Sequence, residues 1–477
     1  MSAEALQYRS SRTRAGRRRR CTGPPPELEA RPSACGRGHP TEEDGMTTET
    51  RYPLWEQFGP PSSFADPART AIRAEGTRVL YADGRWRLCG TSGLWNVNFG
   101  YNNPRVADAI GEALRTASYL PAFRNSHRRA VDASRALVEL CGAEHFGRVI
   151  HSTSGSAAND VTMKLARQYA ALRGEPGRRL VAGLRGSYHG MTYGAHGLTG
   201  EDLGQAAYSV DRSLVRHVRH DDPAELAALL GAEGERVAAV VVEPVLGSGA
   251  FPLPETMLTA LAALRETYGF LLVADEVATG FGRTGRNFAS EDWPVRPDVL
   301  ITSKGLTNGT CGAAAVLVSH RVCEEFERAD AVLVHGETQA AAPTTCAAIT
   351  ASIGELERLD GARTPREAGE RLTGVLAGLS GHPLVTGHGG TGCFQALRLG
   401  TDGGQLPFPG VLLTVAALRR AGLTVQPGPG CVQLIPTLVY GDEDFEELAA
   451  CLRTGLDEAA EALLTGPLAA GPVGAAR

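Results

Sequence analysis

An α/β fold with a mostly parallel sheet and a smaller α/β unit is what this sequence predicts, and three observations predict it. From about Thr50 onward, short apolar runs ending in glycine or polar turns alternate with amphipathic stretches, the βα pattern of parallel sheets. The 477 residues are enough for a large core and two domains. From about Gly387 to Pro436 the pattern changes to strands around one helix, Gly410–Ala421, which marks the smaller unit.

The elements follow in chain order. Residues 1–45 carry Arg12, Arg14, the run Arg17 to Arg20 and the prolines Pro24 to Pro26, with neither a helical nor a strand period. They read as a disordered leader without the apolar core of a secretory signal, and translation starting at Met46 is the simplest account of them. The strand candidates are Arg148–Ser152, Val237–Val242, Phe270–Ala274, Val299–Thr302 and Ala313–Val318. Helical patterns span Ser156–Leu172, Glu255–Tyr268, Pro343–Leu359 and Phe445–Leu464. The expected domains are 46–95, an N-terminal segment joining the small domain, 96–345, the large domain, and 346–465, the C-terminal small domain. Residues 466–477 read as a flexible tail.

Composition removes several function classes. Hydrophobic residues are 43% and charged residues 21%, ordinary for a globular protein, and the formal charge of -5 gives no reason to expect nucleic acid. No run of about 18 apolar residues suggests a membrane span. The ten cysteines form no C-x-x-C pair, which fits reduced thiols in a cytoplasm. His151, His335 and His388 show no ligand spacing, so no metal is expected.

All but two of the 48 basic residues are arginine; the lysines are Lys164 and Lys304. A lysine that persists in so arginine-biased a chain draws attention, because a guanidinium stays protonated and cannot form a Schiff base. Lys304 directly follows a strand candidate, where α/β proteins bind ligands. A lysine held there in a partly dry site has a lowered pKa and can attack an aldehyde. The competing reading is a solvated surface lysine.

Other segments add to this picture. Asp275 ends another strand; it could serve a metal, a sugar hydroxyl, a pyridinium nitrogen or only a polar loop start. Ser152-Thr-Ser-Gly155-Ser156-Ala157 is a strand followed by a small-residue turn into a helix, an arrangement that suits a phosphate or a plain N-cap. Tyr188 in Gly186-Ser-Tyr188-His189-Gly190 has a ring that can stack on a planar cofactor or pack in a core. His189 is open to two readings, steering a ring hydroxyl or a hydrogen-bonded structural role.

In order, Gly155–Asn159, Tyr188–Gly190, Val241–Val245, Asp275–Gly285, Ser303–Gly305 and His335–Pro343 resemble the class III aminotransferases of fold type I. The resemblance runs from about Tyr52 to Leu464, and Gly93–Tyr101 is similar to the cofactor-edge segment of ω-amine transaminases. It implies a seven-stranded, mostly parallel sheet and pyridoxal 5'-phosphate (PLP) as cofactor. It also implies an amino donor, a carbonyl acceptor and a homodimer with shared active sites. Lys304 would hold the cofactor and shuttle a proton, and Asp275 would pair with the ring nitrogen. Val277 and Tyr188 would cover the two ring faces. Gly155 and Ser156 would hold the phosphate, with Thr338 reaching it from the neighbouring subunit. Glu243 would lie near the substrate or the ring hydroxyl, and Trp95 would line the substrate pocket.

The departures from the family pattern carry information. Ala157 stands where a Glu is usual, and Gln339 where an aromatic is usual. Gln426 replaces the Arg that in many members fixes an α-carboxylate by a bidentate pair. Either the acceptor is a ketone or aldehyde without a nearby carboxylate, as in tailoring of peptides or other natural products, or another residue, Arg124 or Arg398, supplies the anchor. An aminomutase, decarboxylase or racemase of the same fold is the nearest alternative. A non-enzymatic relative is disfavoured by the presence of both Lys304 and Asp275. A dinucleotide-binding dehydrogenase ranks last, for want of G-x-G-x-x-G.

Overall fold

The computed structural model describes residues 52–359, 363–401 and 404–465. The expected leader, the start at Met46 and the tail 466–477 lie outside these residues. Contacts divide the chain after Phe64. In the short first unit the Phe64 ring packs against Tyr52 and Trp55, each at 6.3 Å between centroids.

The second unit opens with a meander of β1 (Ala71–Glu75), β2 (Arg78–Tyr81) and β3 (Trp86–Cys89). Helices α1 (Pro104–Thr116) and α2 (Arg128–Cys141) follow. Asn103 caps α1 by accepting from the backbone N–H groups of Arg105 and Val106, and Pro104 occupies its first turn, where no donor is needed. The central region then alternates strand and helix: β4 (Phe146–Ser152), α3 (Gly155–Leu172), β5 (Leu180–Leu184), β6 (Val215–Val218), β7 (Val237–Val242), α4 (Glu255–Tyr268), β8 (Leu271–Asp275), β9 (Val299–Ser303) and β10 (Ala314–Ser319).

These seven strands form one sheet in the order β4-β10-β9-β8-β7-β5-β6. Only β10 runs antiparallel to its neighbours, so the sheet is mostly parallel, as expected. Strands β5, β7, β8, β9 and β10 are buried along their whole length, which is why they read as unbroken apolar runs. Alternate residues serve opposite faces: Val299 and Ile301 join the core with Val161 and Leu165 of α3, whereas Leu300 joins the other side.

The chain continues through α5 (Pro343–Arg358) to a second sheet of β11 (Val385–Thr391), β12 (Phe394–Thr401), β13 (Gln426–Gly428) and β14 (Cys431–Leu434), ordered β11-β12-β14-β13. Helix α6 (Phe408–Arg420) packs against it, and α7 (Asp442–Ala460) packs on α6. The sequence expectation of strands around one helix in this region is met. Leu423 and Thr424 pair in parallel with Leu88 and Cys89, joining this region to the opening meander.

Two differences have physical causes. Strands β5 and β6 were not expected. Leu180–Leu184 is interrupted by Gly183, and Val215–Val218 lies at the sheet edge with Arg216 and His217 in its middle. The last helix begins at Asp442, ahead of the expected Phe445, because three acidic residues occupy its first turn, where the helix dipole favours them.

Candidate active site

Parallel strands deliver their carboxyl-terminal residues to one edge of the sheet, and the chemistry-bearing side chains gather at that edge. Asp275 is the last residue of β8. The pairing of Val242 with Ala274 sets Glu243 level with it. Lys304 follows the end of β9, whose Ile301 pairs with Asp275.

Asp275 is buried and fully occupied by donors. Its Oδ2 accepts from His189 Nδ1 at 2.7 Å and from Asn159 Nδ2 at 2.9 Å, and its Oδ1 accepts from the Val277 backbone N–H at 3.1 Å. Burial alone would raise its pKa, but the hydrogen bonds and the His189 charge outweigh that and hold the carboxyl below its ordinary value. His189 therefore sits behind Asp275, its own backbone N–H donating to Thr199 Oγ1. The Nε2 of His189 and the Oδ1 of Asn159 are buried without partners.

The amine of Lys304 lies 5.0 Å from the centre of the Trp95 ring. Burial drives its pKa down; Asp275 and Glu243 oppose this, Arg283 adds to it, and the net shift is downward. The Lys304 backbone is left-handed, with φ of 49°. That conformation is strained for a residue with a Cβ, and it persists because the next residues are pinned. A Cβ on Gly305 would come within 2.6 Å of Asn98 Nδ2, and Asn308 holds the backbone of Phe99 and Gly100 through its amide. Glu243, also buried, accepts from the backbone N–H groups of Tyr188 at 2.9 Å and Gly247 at 3.1 Å. Burial and the nearby Asp275 push it up to about 7, against the opposing pull of His189 and those two donors.

Trp95 ends a left-handed turn: Ser92, Gly93, Leu94 and Trp95 all have positive φ. Arg283, fully buried, secures that turn. It donates to Ser92 Oγ at 2.9 Å, and also to Asn98 Oδ1 and the Pro436 carbonyl. Among the described residues no carboxylate pairs with it, and burial lowers its pKa to about 10.

The small-residue turn starts α3 with Ser154 as its cap, Oγ accepting from the Ala157 backbone N–H at 3.2 Å. Ser156 Oγ accepts from the backbone N–H groups of Met191 at 2.8 Å and Thr192 at 2.9 Å. A Cβ on Gly155 would stand 3.1 Å from the Val277 methyls, so Val277 borders the turn. Tyr188 is partly exposed, with its backbone N–H held by Glu243. Thr338 is exposed, its carbonyl accepting from Tyr119 Oη at 2.9 Å. Its neighbour Glu337 accepts from Ser152 Oγ at 2.6 Å and from Thr153 N at 2.9 Å. Gln426 is half-buried on β13.

The contacts thus join Lys304, Asp275, His189, Glu243, Tyr188, Val277, Gly155, Ser156 and Trp95, whereas no side-chain contact links Thr338 or Gln426 to this group. Asn159 and Arg283 were missed as contributors, although both stand inside quoted motifs. Their roles depend on partners more than a hundred residues away. The donor set fits PLP on its own chemistry: an amine with a lowered pKa for an aldehyde, a carboxylate held ionised for a ring nitrogen, and a capped helix start for a phosphate.

Comparison with known proteins gives the family. The model of the class-III aminotransferases matches residues 64–456. The chain is 33% identical to the acetylornithine aminotransferase of Streptomyces coelicolor over 409 residues, covering 84% of this chain and 94% of that one. It is 29% identical to the diaminobutyrate–2-oxoglutarate transaminase of Halomonas elongata, over 83% of this chain and 92% of the other. An amine transaminase from an uncultivated Pseudomonas species, solved in its PLP-bound form, superimposes with a TM-score of 0.79 at 28% identity, over 86% of this chain and 99% of that one.

Proposed function

The chain belongs to the class III aminotransferases and is a PLP-dependent transaminase; we propose that its acceptor is a ketone or aldehyde with no carboxylate anchored beside the reacting carbon. The observation that carries this is Gln426, a neutral amide where the resemblance to the family implies an arginine. Such an acceptor is the kind of group borne by an amine precursor, or by a peptide or other natural product awaiting tailoring. The described cysteines are free thiols, which supports a cytoplasmic setting.

In this reading Lys304 would hold the cofactor and, once released, would take up the proton leaving the substrate carbon. When bound, PLP supplies a protonated ring that accepts the electron pair released at the substrate carbon. Asp275 keeps the ring nitrogen protonated, and His189 and Asn159 keep Asp275 ionised and aimed. Gly155 and Ser156 take the phosphate, Val277 and Tyr188 cover the ring faces, and Glu243 and Trp95 bound the substrate side. Residues 96–345 carry the cofactor and 346–465 close the substrate side. Thr338 completes the phosphate site of a second subunit. Val332, Val334, Tyr119 and Phe123, all exposed around that segment, supply the apolar surface a dimer would cover.

The test is visible absorbance of the purified holoenzyme with a panel of amine donors. A yellow form that bleaches with an amine, returns with an aldehyde or ketone, and is missing from Lys304→Ala is the expected result. Return with α-keto acids only would overturn the proposed acceptor class.

A further inference from the structure

We infer that Arg398 is the anion anchor of the substrate pocket, and that it takes a carboxylate remote from the carbon that exchanges its amino group. This deepens the preceding reading and rests on it for the identity of the pocket. The guanidinium is half-buried in the middle of β12, with its Nη1 buried and without a hydrogen-bond partner. Among the described residues no carboxylate pairs with it; the Phe251 ring lies beneath it at 3.9 Å and the Cys431 thiol beside it. A partly desolvated arginine with a free donor is costly unless an anion completes it.

Its placement points to the substrate side. Phe394, Ala396 and Arg398 share one face of β12, and on that face Phe394 touches Trp95, with ring centres 5.2 Å apart. Ala396 pairs with Gln433, and Gln433 pairs with Gln426, so all of these side chains lie on one side of the sheet. Gln433 donates to the Gly247 carbonyl. The same glycine loop meets Trp95 at Gly247, where a Cβ would stand 3.3 Å from the indole, and meets Arg398 at Gly249, where it would stand 3.2 Å from Nη1. Trp95 Nε1 is likewise a buried donor without an acceptor.

Gln426 and Arg398 are thus two positions on one sheet face, about 12 Å apart by strand spacing and rise. The positive charge has moved across that face. The indole and the turn 247–249 stand between Lys304 and the guanidinium. A substrate that reaches both presents its amino or carbonyl carbon at one end and its carboxylate at the other, as an ω-amino acid does. Arg124 does not compete for this place, being exposed beside Phe123.

The test uses the holoenzyme and titration calorimetry with straight-chain carboxylates from butanoate to octanoate against the corresponding amides. At the best chain length the carboxylate is expected to bind at least about tenfold more tightly than the amide. Arg398→Leu brings the ratio to within about threefold of unity, and Arg398→Lys, keeping charge without the planar fork, gives an intermediate ratio. The ratio of kcat/KM for ω-amino acids over n-alkylamines is expected to follow the same order. If Arg398→Leu does not fold, the Arg398→Lys ratios decide. A wild-type ratio near one at every length, a ratio unchanged in both variants, or one lost instead in Arg124→Leu overturns the assignment. If the carboxylate preference holds but no amine bleaches the cofactor, the transamination reading fails and Arg398 stands.

Discussion

At the scale of single residues, the site is a set of ionisable groups whose environments push them in opposite directions. Asp275 is held ionised by donors, while Glu243, an equally buried carboxylate at the end of the neighbouring strand, is pushed up to about 7. Two acids with pKa values driven apart can do different work in one pocket. The shift is also a statement about stability. A carboxyl whose folded pKa is raised above its unfolded value adds stability that is fully present below about 4.5 and is lost as pH rises through about 7. Glu243→Gln cannot ionise and escapes that loss. In urea denaturation of the cofactor-free protein, the variant is expected to gain on the wild type between about pH 5 and pH 8. The upper bound is about 3 kcal/mol, from 1.36 kcal/mol per pKa unit. A stability difference that stays flat across that range would falsify the claim that burial dominates at Glu243.

At the scale of elements, the site depends on glycines that let backbones meet. Gly190 has φ of 119°, and a Cβ there would stand 2.1 Å from Ser156 Oγ, the oxygen that collects the Met191 and Thr192 N–H groups. Gly190→Ala therefore disturbs the start of α3 from a different segment. We expect its PLP dissociation constant, read from fluorescence quenching, to rise by tenfold or more, a larger effect than the loss of apo stability that the positive φ and the close approach to the Ser156 backbone impose. Equal loss of affinity and of apo stability would mean that the turn is only structural. Much of this level was legible beforehand. The helix Glu255–Tyr268 has the expected bounds because Gly269, in the left-handed region, ends it as a glycine cap does. Lys304 and Asp275 stand at the ends of strands that announced themselves as apolar runs. The left-handed turn at Trp95 was not legible, since of its four positive-φ residues only Gly93 is a type that favours that conformation. What stabilises the turn is Arg283, nearly two hundred residues away, and no local pattern reports such a contact. The Asp275–His189–Asn159 ladder was hidden for the same reason, its members coming from β8, the loop after β5 and α3.

At the scale of the whole molecule, the open question is whether one chain makes a complete site. Within the chain, Thr338 is exposed and sends no side chain to the turn at Gly155 and Ser156, whereas Glu337 beside it is fastened to Ser152 and Thr153 at the end of β4. The segment is thus anchored to the strand that leads into its own phosphate turn while its threonine faces outward. A second subunit would receive that threonine. Two broken chains distinguish the arrangements. Lys304→Ala removes the attachment point, and Thr338→Ala weakens the phosphate site. In a hybrid dimer of the two, sharing across the interface gives one intact site, with Lys304 from the Thr338→Ala chain and Thr338 from the Lys304→Ala chain, and one doubly defective site. If Thr338 instead serves its own chain, each site keeps one defect and none is intact. Hybrids isolated by paired affinity tags are therefore expected to bind one equivalent of PLP per dimer with wild-type affinity and to show about half the wild-type activity. Neither parent homodimer would reach that level. A hybrid with no tight site, or a protein that stays monomeric while fully active, would place Thr338 outside a shared site and return the phosphate to the amides of a single chain.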